Sequence, residues 1–451
     1  MLKRGRAFRF PGVRASDVRA DVAIVGAGPA GCTLAALLAM RGVRCLVFDD
    51  DERPGLLVGE SLLPTVVTLM RKLGIEERAK GFCHPKPGVA FLPREGRRID
   101  FFFPEKEREG LPNYAYNVPR PEFDRLLRER AEELGAVFVR RRAGLERGDG
   151  GREIQLDAAT LDATPELGGL HPKLLVDSTG RARTFSKVLG ISAKRGGRND
   201  VAYFAHYEGF SVPTERPGQV VITTLERGWS WRIPLPGRLS VGVVVDKDAA
   251  RPHGATAEER LESIIDREPL LREDGAGRRR LTDVMTYTNY QLISDRGHGA
   301  GWVALGDAFG FVDPMLSPGL FMAMLSADLL DRRVFGRGVG VLDDAVAMRR
   351  GCEKVFGELD DWHRSWSELI EYFYDGRIHS LYESGAQLRE KSGGFPLAVM
   401  MERHLSKQIT GLVSGAKTRS SYGKRLLKLS ARHLVWGVRA PEEYAVLAGA
   451  R

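Results

Sequence analysis

Residues 21–49 read DVAIVGAGPAGCTLAALLAMRGVRCLVFD, and the order of residue types in that stretch decides the fold. Val22, Ala23, Ile24 and Val25 form a short all-apolar run, the pattern of a strand buried on both faces. Gly26-Ala27-Gly28-Pro29-Ala30-Gly31 follows at once, and residues 33–41, rich in Ala, Leu and Met, read as a helix. A second buried strand, Cys45-Leu46-Val47-Phe48, ends at Asp49. In such a unit the first glycine permits a tight turn and the second lets the backbone approach a pyrophosphate. The third brings helix and strand close, and the free N–H groups of the helix N-terminus face the phosphates. Asp49 stands 23 residues beyond Gly26, where an acid takes the ribose hydroxyls. The stretch therefore predicts a Rossmann-type dinucleotide site built on Gly26, Gly28, Gly31 and Asp49.

Outward from that unit the pattern changes twice. Residues 125–134 (RLLRERAEEL) form an amphipathic helix ended by Gly135, and Leu174-Leu175-Val176 is another buried strand running into a Ser-Thr-Gly turn. Residues 201–207 and 239–245 are β-branched and aromatic with Pro/Gly punctuation between them, as in an antiparallel sheet. Beyond about residue 345 the periodicity is helical. Residues 424–436 place Leu427, Ala431, Leu434 and Val435 on one face, expected to dock on the core or on a partner. A chain of 451 residues exceeds one compact core. The expected class is α/β: a discontinuous dinucleotide-binding domain over residues 18–345, interleaved with an antiparallel-sheet substrate domain inserted at about 82–118 and 190–290. A mostly helical C-terminal region over 346–451 completes the chain.

Composition narrows the function. Lys and Arg number 68 against 59 Asp and Glu, a net +9 that reads as spread along the chain, with Arg140-Arg141-Arg142 and Arg278-Arg279-Arg280 as solvated surface. No nucleic-acid reading motif accompanies the charge, so no nucleic-acid partner is expected. Cys32, Cys45, Cys83 and Cys352 show no CxxC pairing or metal spacing, which predicts reduced thiols, a cytoplasmic setting and no metal. Residues 1–20 lack the apolar core of a secretory signal. No run of the roughly 18 apolar residues a membrane span needs exists, so no transmembrane segment is expected.

Two later motifs separate FAD from NAD as the nucleotide. Gly306-Asp307-Ala308 follows an apolar strand, and Asp177-Ser178-Thr179-Gly180 follows another; Arg120 opens Arg120-Pro121-Glu122-Phe123-Asp124. Together with the first glycine run they resemble the flavoprotein superfamily that includes para-hydroxybenzoate hydroxylase, over about residues 21–327. The resemblance implies FAD as cofactor, with Asp307 at the ribityl chain, Arg120 near the flavin, and Asp177 and Gly306 completing the site.

Within that superfamily the chain most resembles the flavin-dependent, tryptophan-halogenase-like halogenases. Three segments carry the likeness: Gly59-Glu60-Ser61-Leu62-Leu63-Pro64, the WxWxIP run Trp229-Ser230-Trp231-Arg232-Ile233-Pro234, and Lys86-Pro87-Gly88-Val89-Ala90-Phe91. The resemblance implies that reduced FAD and O2 convert halide to hypohalous acid, which Lys86 steers onto an electron-rich aromatic ring. Trp229 and Trp231 would stand between flavin and substrate and disfavour direct hydroxylation. It further implies a halide held by backbone N–H groups near Ser317 and Gly319, the latter also beside the flavin. Pro318 stands between them without an N–H, at a cost to halide binding of about 1.5–3 kcal/mol. Leu316 replaces the glutamate that tryptophan-specific halogenases place there.

Ordinary readings stand beside these. Trp229 and Trp231 alternate on a strand and share one face, as core aromatics do. Lys86, between two prolines, suits a solvated loop, and His84 and His206 suit surface and strand positions. Halogenation ranks first and hydroxylation of an aromatic second. A reductase of the geranylgeranyl-reductase type is third, and a flavin-bearing binding protein is the non-enzymatic alternative. The expected partners are a flavin reductase supplying reduced FAD, and an aromatic substrate that is free, carrier-protein-bound or part of a peptide.

Overall fold

The computed structural model describes residues 19–50, 52, 55–94, 97–103, 106–107, 111–149, 151–289, 291–391, 396–433 and 441–446. Its centre is a six-stranded sheet in the order His298–Gly299, Trp302–Ala304, Leu174–Asp177, Val22–Val25, Cys45–Asp49, Val137–Arg140. All pairs are parallel except the short His298–Gly299 hairpin partner. Val22–Val25 and Leu174–Asp177 are buried at every position, as continuous apolar runs require. Helix Pro29–Met40 crosses from Val22–Val25 to Cys45–Asp49, with Pro29 in its first turn, where the missing N–H costs nothing. Gly26 has φ +102°, and a Cβ at Gly31 would lie 2.1 Å from the Gly26 carbonyl oxygen. The tight turn and the close helix–strand approach thus both depend on glycine.

A second sheet has eight strands. Seven run in the order Arg279–Arg280, Asp200–Glu208, Arg238–Asp246, Gly228–Leu235, Val220–Leu225, Gly88–Leu92, Ile99–Phe102, and Met285–Asn289 also pairs with Asp200–Glu208. Val220–Leu225 and Gly88–Leu92 run parallel, joining segments distant in sequence. The sheet is buried on both faces. Ala202, Phe204, Trp229, Trp231 and Ile233 face the main core, whereas Val201, Tyr203, Ala205 and Tyr207 pack with Leu261, Ile264 and Ile265 of helix Ala257–Arg267. A separate two-stranded ribbon pairs His84–Lys86 with Ala115–Asn117.

Helix Arg120–Glu133 begins five residues before the expected 125, because Pro121 is accommodated in its first turn. The C-terminal third is helical: Ala345–Tyr374, Arg377–Lys391, Pro396–Val413 and Ser421–His433. Of the face expected at 424–436, Leu427 is buried, while Leu434 and Val435 lie outside the described residues. The basic excess is not spread evenly: residues 396–433 hold eight Lys/Arg against one acidic residue. All four cysteines are buried free thiols. Among the described residues no helix is long and apolar enough to cross a membrane.

Candidate active site

A cavity of about 870 Å³ lies between the C-terminal edge of the parallel sheet, the inner face of the eight-stranded sheet and helix Pro396–Val413. One end has the form of a nucleotide cradle. Gly26 and Gly28 line it, and nothing lies within 4 Å of where a Gly28 Cβ would project, so the backbone there opens directly on the cavity. Asp49 lines it too, buried and held by Arg128 Nη1 at 3.0 Å. Arg120 is fixed along its own helix by Asp124 (Nε–Oδ1 3.0 Å, Nη2–Oδ2 3.1 Å) and also donates to the Val58 carbonyl. Arg181 spans the rings of Tyr287 and Phe311, at 5.7 and 5.0 Å from their centroids. Asp307 faces the cavity and accepts no hydrogen bond from the described residues. Burial pushes its carboxyl up to about 6, against the pull of Arg181 and Arg120. A partly buried carboxylate without a donor fits a ligand that brings hydroxyls, as a ribityl chain does. The glycine cradle and this orphan acceptor together fit FAD.

Three expected cofactor positions do not line the cavity. Asp177 is fully buried and accepts from Thr179 N (3.0 Å), Thr179 Oγ1 (2.7 Å) and Phe185 N (2.8 Å), so its expected contact with the cofactor is corrected to holding the turn behind it. Gly31 meets Gly26, and a Cβ at Gly306 would press on Ala30 and Ala323 at 3.3 Å. Both glycines act through packing. The Ser317–Gly319 pair needs a larger correction. Ser317 donates its N–H to the Pro314 carbonyl at 2.9 Å, closing a turn, so that donor is already taken and does not serve a halide. Leu316 and Ser317 both have positive φ, 68° and 58°. Two successive non-glycine residues there mark a strained turn of the sort found at functional sites. Gly319 lines the cavity in the first turn of helix Pro318–Arg333, where N–H groups lack intrahelical acceptors.

The other end is apolar, with Phe91, Phe101, Val220 and Ile222 among its walls. Lys86 is not a solvated loop residue. It ends strand His84–Lys86, is 1% exposed, and donates to Ser61 Oγ at 2.8 Å and the Leu62 carbonyl at 2.9 Å. Burial pulls its amine down to about 7. Trp229 and Trp231 line the same cavity from strand Gly228–Leu235, with ring centroids 5.7 Å apart. Trp229 Nε1 donates to Tyr374 Oη at 2.9 Å, and Tyr374 in turn donates to Asp313 Oδ2 at 2.9 Å. Trp231 Nε1 donates to Ser240 Oγ at 3.1 Å. A Cβ at Gly242 would lie 2.3 Å from the Trp231 ring, so this in-strand glycine clears the space for the indole.

Four groups here carry no sequence signal that marks them as site residues, or only a faint one. Glu60 stands in the Gly59–Pro64 motif without a role of its own, and the ordinary strand placement of His206 gives no hint that its ring meets Glu60 at 2.7 Å. Tyr374 ends a 30-residue helix with nothing local to distinguish it. Gly242, an isolated glycine in a strand of β-branched residues, is the one with a readable signal. His84 remains partly exposed in the ribbon, as expected.

Residues 19–324 match the family described as an FAD binding domain, about two thirds of the chain. A tryptophan 2-halogenase of Chondromyces crocatus is 30% identical over 405 residues, covering 87% of this chain and 76% of that one. A 1H-pyrrole-2-carbonyl-[peptidyl-carrier protein] chlorinase of Pseudomonas fluorescens is 27% identical over 406 residues, covering 82% and 87%. Among solved structures, the myxobacterial chondrochloren halogenase CndH, described as a variant of FAD-dependent halogenases, superposes with a TM-score of 0.68 at 27% identity, covering 79% of this chain and 83% of that one. With the cradle, the orphan Asp307 and the matched family in agreement, this chain is an FAD-dependent enzyme of the flavin-dependent halogenases, within the FAD-binding family.

Proposed function

We propose that the enzyme halogenates an electron-rich aromatic ring, of the pyrrole or phenol kind, in the apolar end of the cavity. One observation carries this reading: a buried, carboxylate-free lysine amine and a tryptophan pair line the same cavity as the FAD cradle. Gly26, Gly28, Asp49, Arg120, Asp307 and Gly319 would hold the cofactor, with Asp177, Gly31 and Gly306 shaping the backbone behind it. Bound FAD, reduced and supplied with O2, provides the two-electron oxidation that makes halide electrophilic.

The chain's own groups account for the rest. Near pH 7 Lys86 is divided between ammonium and amine. The ammonium donates a hydrogen bond to hypohalous acid. The amine can take up its halogen as N–X, releasing water, and then pass X⁺ to the ring. Held by Ser61 and Leu62, Nζ presents either form from a fixed point. Trp229 and Trp231, pinned by Tyr374 and Ser240, form a wall that water and the wrong ring face do not cross. The chain carries a single GxGxxG run, which supports a separate flavin reductase as the source of reduced FAD.

Helix Pro396–Val413 supports one form of the substrate. Arg403, Lys407 and Thr410 fall on one stripe of it, at i, i+4 and i+7. Arg403 and Lys407 are exposed and ion-paired to no described residue, and Thr410 lines the cavity. A basic stripe leading into the site suits a ring delivered by an acidic carrier protein, in keeping with the names of the pyrrole-carrier chlorinase and a brominase of the same kind from Pseudoalteromonas luteoviolacea.

Hydroxylation is the second reading, favoured by one observation: Ser317 has spent its N–H and Pro318 has none. Both are tested together by reducing the FAD-loaded enzyme without oxygen, then admitting O2 with pyrrole-2-carbonyl-carrier protein and chloride or bromide. A product carrying the added halogen supports halogenation. Hydroxylation indifferent to halide shifts the reading to the second, and unmodified substrate removes both.

A further inference from the structure

One carboxylate in the cavity wall makes no direct hydrogen bond to Lys86 or to the cradle's side chains, although its charge acts on Arg120. Glu60 is 2% exposed and lines the cavity. Its Oε1 lies 2.7 Å from Nε2 of His206, itself buried on strand Asp200–Glu208. On the far side of the imidazole, Arg238 Nε lies 3.1 Å from Nδ1. A guanidinium offers donors and no acceptor. Nδ1 must therefore accept, which fixes the ring proton on Nε2 and points it at Glu60. Glu60 accepts this one hydrogen bond at Oε1. Its other oxygen, Oε2, receives none from the described residues, on a side chain that lines the cavity.

The position of that oxygen says what should meet it. Glu60 immediately precedes Ser61, the residue that holds Lys86 Nζ. His206 pairs across the sheet with Ser240, the residue that holds the Trp231 indole. Glu60 therefore sits between the supports of the lysine and of the tryptophan wall. Elsewhere in the same cavity Phe91, Phe101, Val220 and Ile222 are apolar and suit a neutral ring better than a cationic ligand.

We infer that Glu60 is a specificity-determining residue whose free carboxylate oxygen accepts the N–H or O–H of the substrate ring. This rests on the halogenase reading of the cavity and adds the class of ring it selects: pyrroles, indoles and phenols, with their N- and O-alkylated analogues excluded. The same bond turns the ring toward Lys86. It also pushes electron density into the ring, because a hydrogen bond to an anion polarises the N–H or O–H toward the acceptor.

The test compares pyrrole-2-carboxamide with N-methylpyrrole-2-carboxamide, which differ only at the ring donor. Binding to the FAD-loaded enzyme is followed by quenching of tryptophan fluorescence. The natural enzyme should prefer the N–H ligand by at least about tenfold, the factor carried by one charge-assisted bond. In Glu60→Gln the preference should fall below roughly threefold by the same reasoning, with FAD affinity and the flavin absorption spectrum unchanged. His206→Gln, which keeps a donor to Oε1, should retain the preference. If Glu60→Gln does not fold, Glu60→Asp, which keeps the charge but withdraws it, should still reduce the ratio.

A preference that survives in Glu60→Gln, no preference in the natural enzyme, or no binding of either ligand would overturn the inference. Weakened FAD binding in Glu60→Gln would also do so, by placing the carboxylate at the flavin. Ring halogenation is scored separately. An enzyme that halogenates without an N–H preference loses Glu60 and keeps its reaction, and one that shows the preference without halogenating does the reverse.

Discussion

The two ends of the cavity are built by different means. At the nucleotide end, Gly26, Gly28, Gly31 and Asp49 come from one stretch of 29 consecutive residues and act largely through backbone shape. At the ring end, Trp231 apart, which Ser240 holds nine positions on, the important side chains are held by ones far away in sequence. Lys86 reaches Ser61 across 25 positions, Trp229 reaches Tyr374 across 145, and Glu60 reaches His206 across 146. A phosphate-bearing cofactor common to many enzymes can be met by local backbone geometry. A particular ring needs side chains aimed from several elements, and tertiary packing alone can aim them.

If the two ends are as separable as that contrast implies, Lys86→Met should divide them. Product formation should fall by at least about 10²-fold, the lower range for a positioned proton-transfer group, while FAD binding stays intact. The same variant has a stability signature. The folded-state pKa of Lys86, about 7, is depressed below its unfolded value of 10.5. Between those values the unfolded chain binds more protons, so the natural protein gains stability as pH rises from 7 toward 10.5 and bears the full burial cost below 7. With about 1.4 kcal/mol for each pH step between the two values, the cost at low pH is on the order of a few kcal/mol. Lys86→Met should therefore melt higher than the natural protein at pH 6, with the gap closing toward pH 10. A constant gap across that range would mean the lysine is not buried as a charge.

The same contrast explains what could be read from the chain. The parallel sheet, the glycine turn and the place of Asp307 were legible because each follows from local order: apolar run, glycine, small residues, acid. Lys86 is legible as a motif but not as a buried group, since the prolines beside it suggest a loop, while the ribbon with Ala115–Asn117 and the contacts to Ser61 and Leu62 form only in the fold. Asp177 is legible as a motif, but that its carboxylate serves Thr179 and Phe185 just downstream depends on the folded turn. Pro318 was seen to remove one halide donor, whereas the loss of Ser317's N–H depends on a turn with two left-handed residues that no propensity would suggest. Tyr374 and His206 carried no local signal, for their roles exist only after helix and sheet have met.

Gly31→Ala should break the contrast from the opposite side. The added methyl would lie 2.1 Å from the Gly26 carbonyl and 2.6 Å from Ser178 Oγ, so the helix must move off the strand. Overpacking of this kind costs about 1–3 kcal/mol, and the displaced N-terminus should weaken FAD binding by roughly tenfold, since each 1.4 kcal/mol is one decade. Equilibrium dialysis of FAD and thermal melting of the apoprotein check both. The ring end should keep its Lys86 pKa, readable from the same pH dependence of melting. If that value moves, the two ends are mechanically coupled.

The smallest and most telling effect belongs to Tyr374, the group through which the C-terminal helices reach both ends. Its hydroxyl accepts from the Trp229 indole and donates to Asp313, whose other oxygen accepts from Met315 N at 2.9 Å, just before the strained Leu316-Ser317 turn. Tyr374→Phe keeps the ring and removes both bonds, leaving a buried indole N–H without an acceptor at about 1–3 kcal/mol. If the hydroxyl only supports packing, melting temperature should fall while kinetic constants hold. If it positions, Trp229 emission should shift, the KM for the ring substrate should rise several-fold through the loosened indole wall, and kcat should change less, because Lys86 is held by Ser61 and Leu62 and not by this chain of bonds. A change in kcat with KM untouched would mean that Tyr374 acts through Asp313 and the turn, and not through the indole wall.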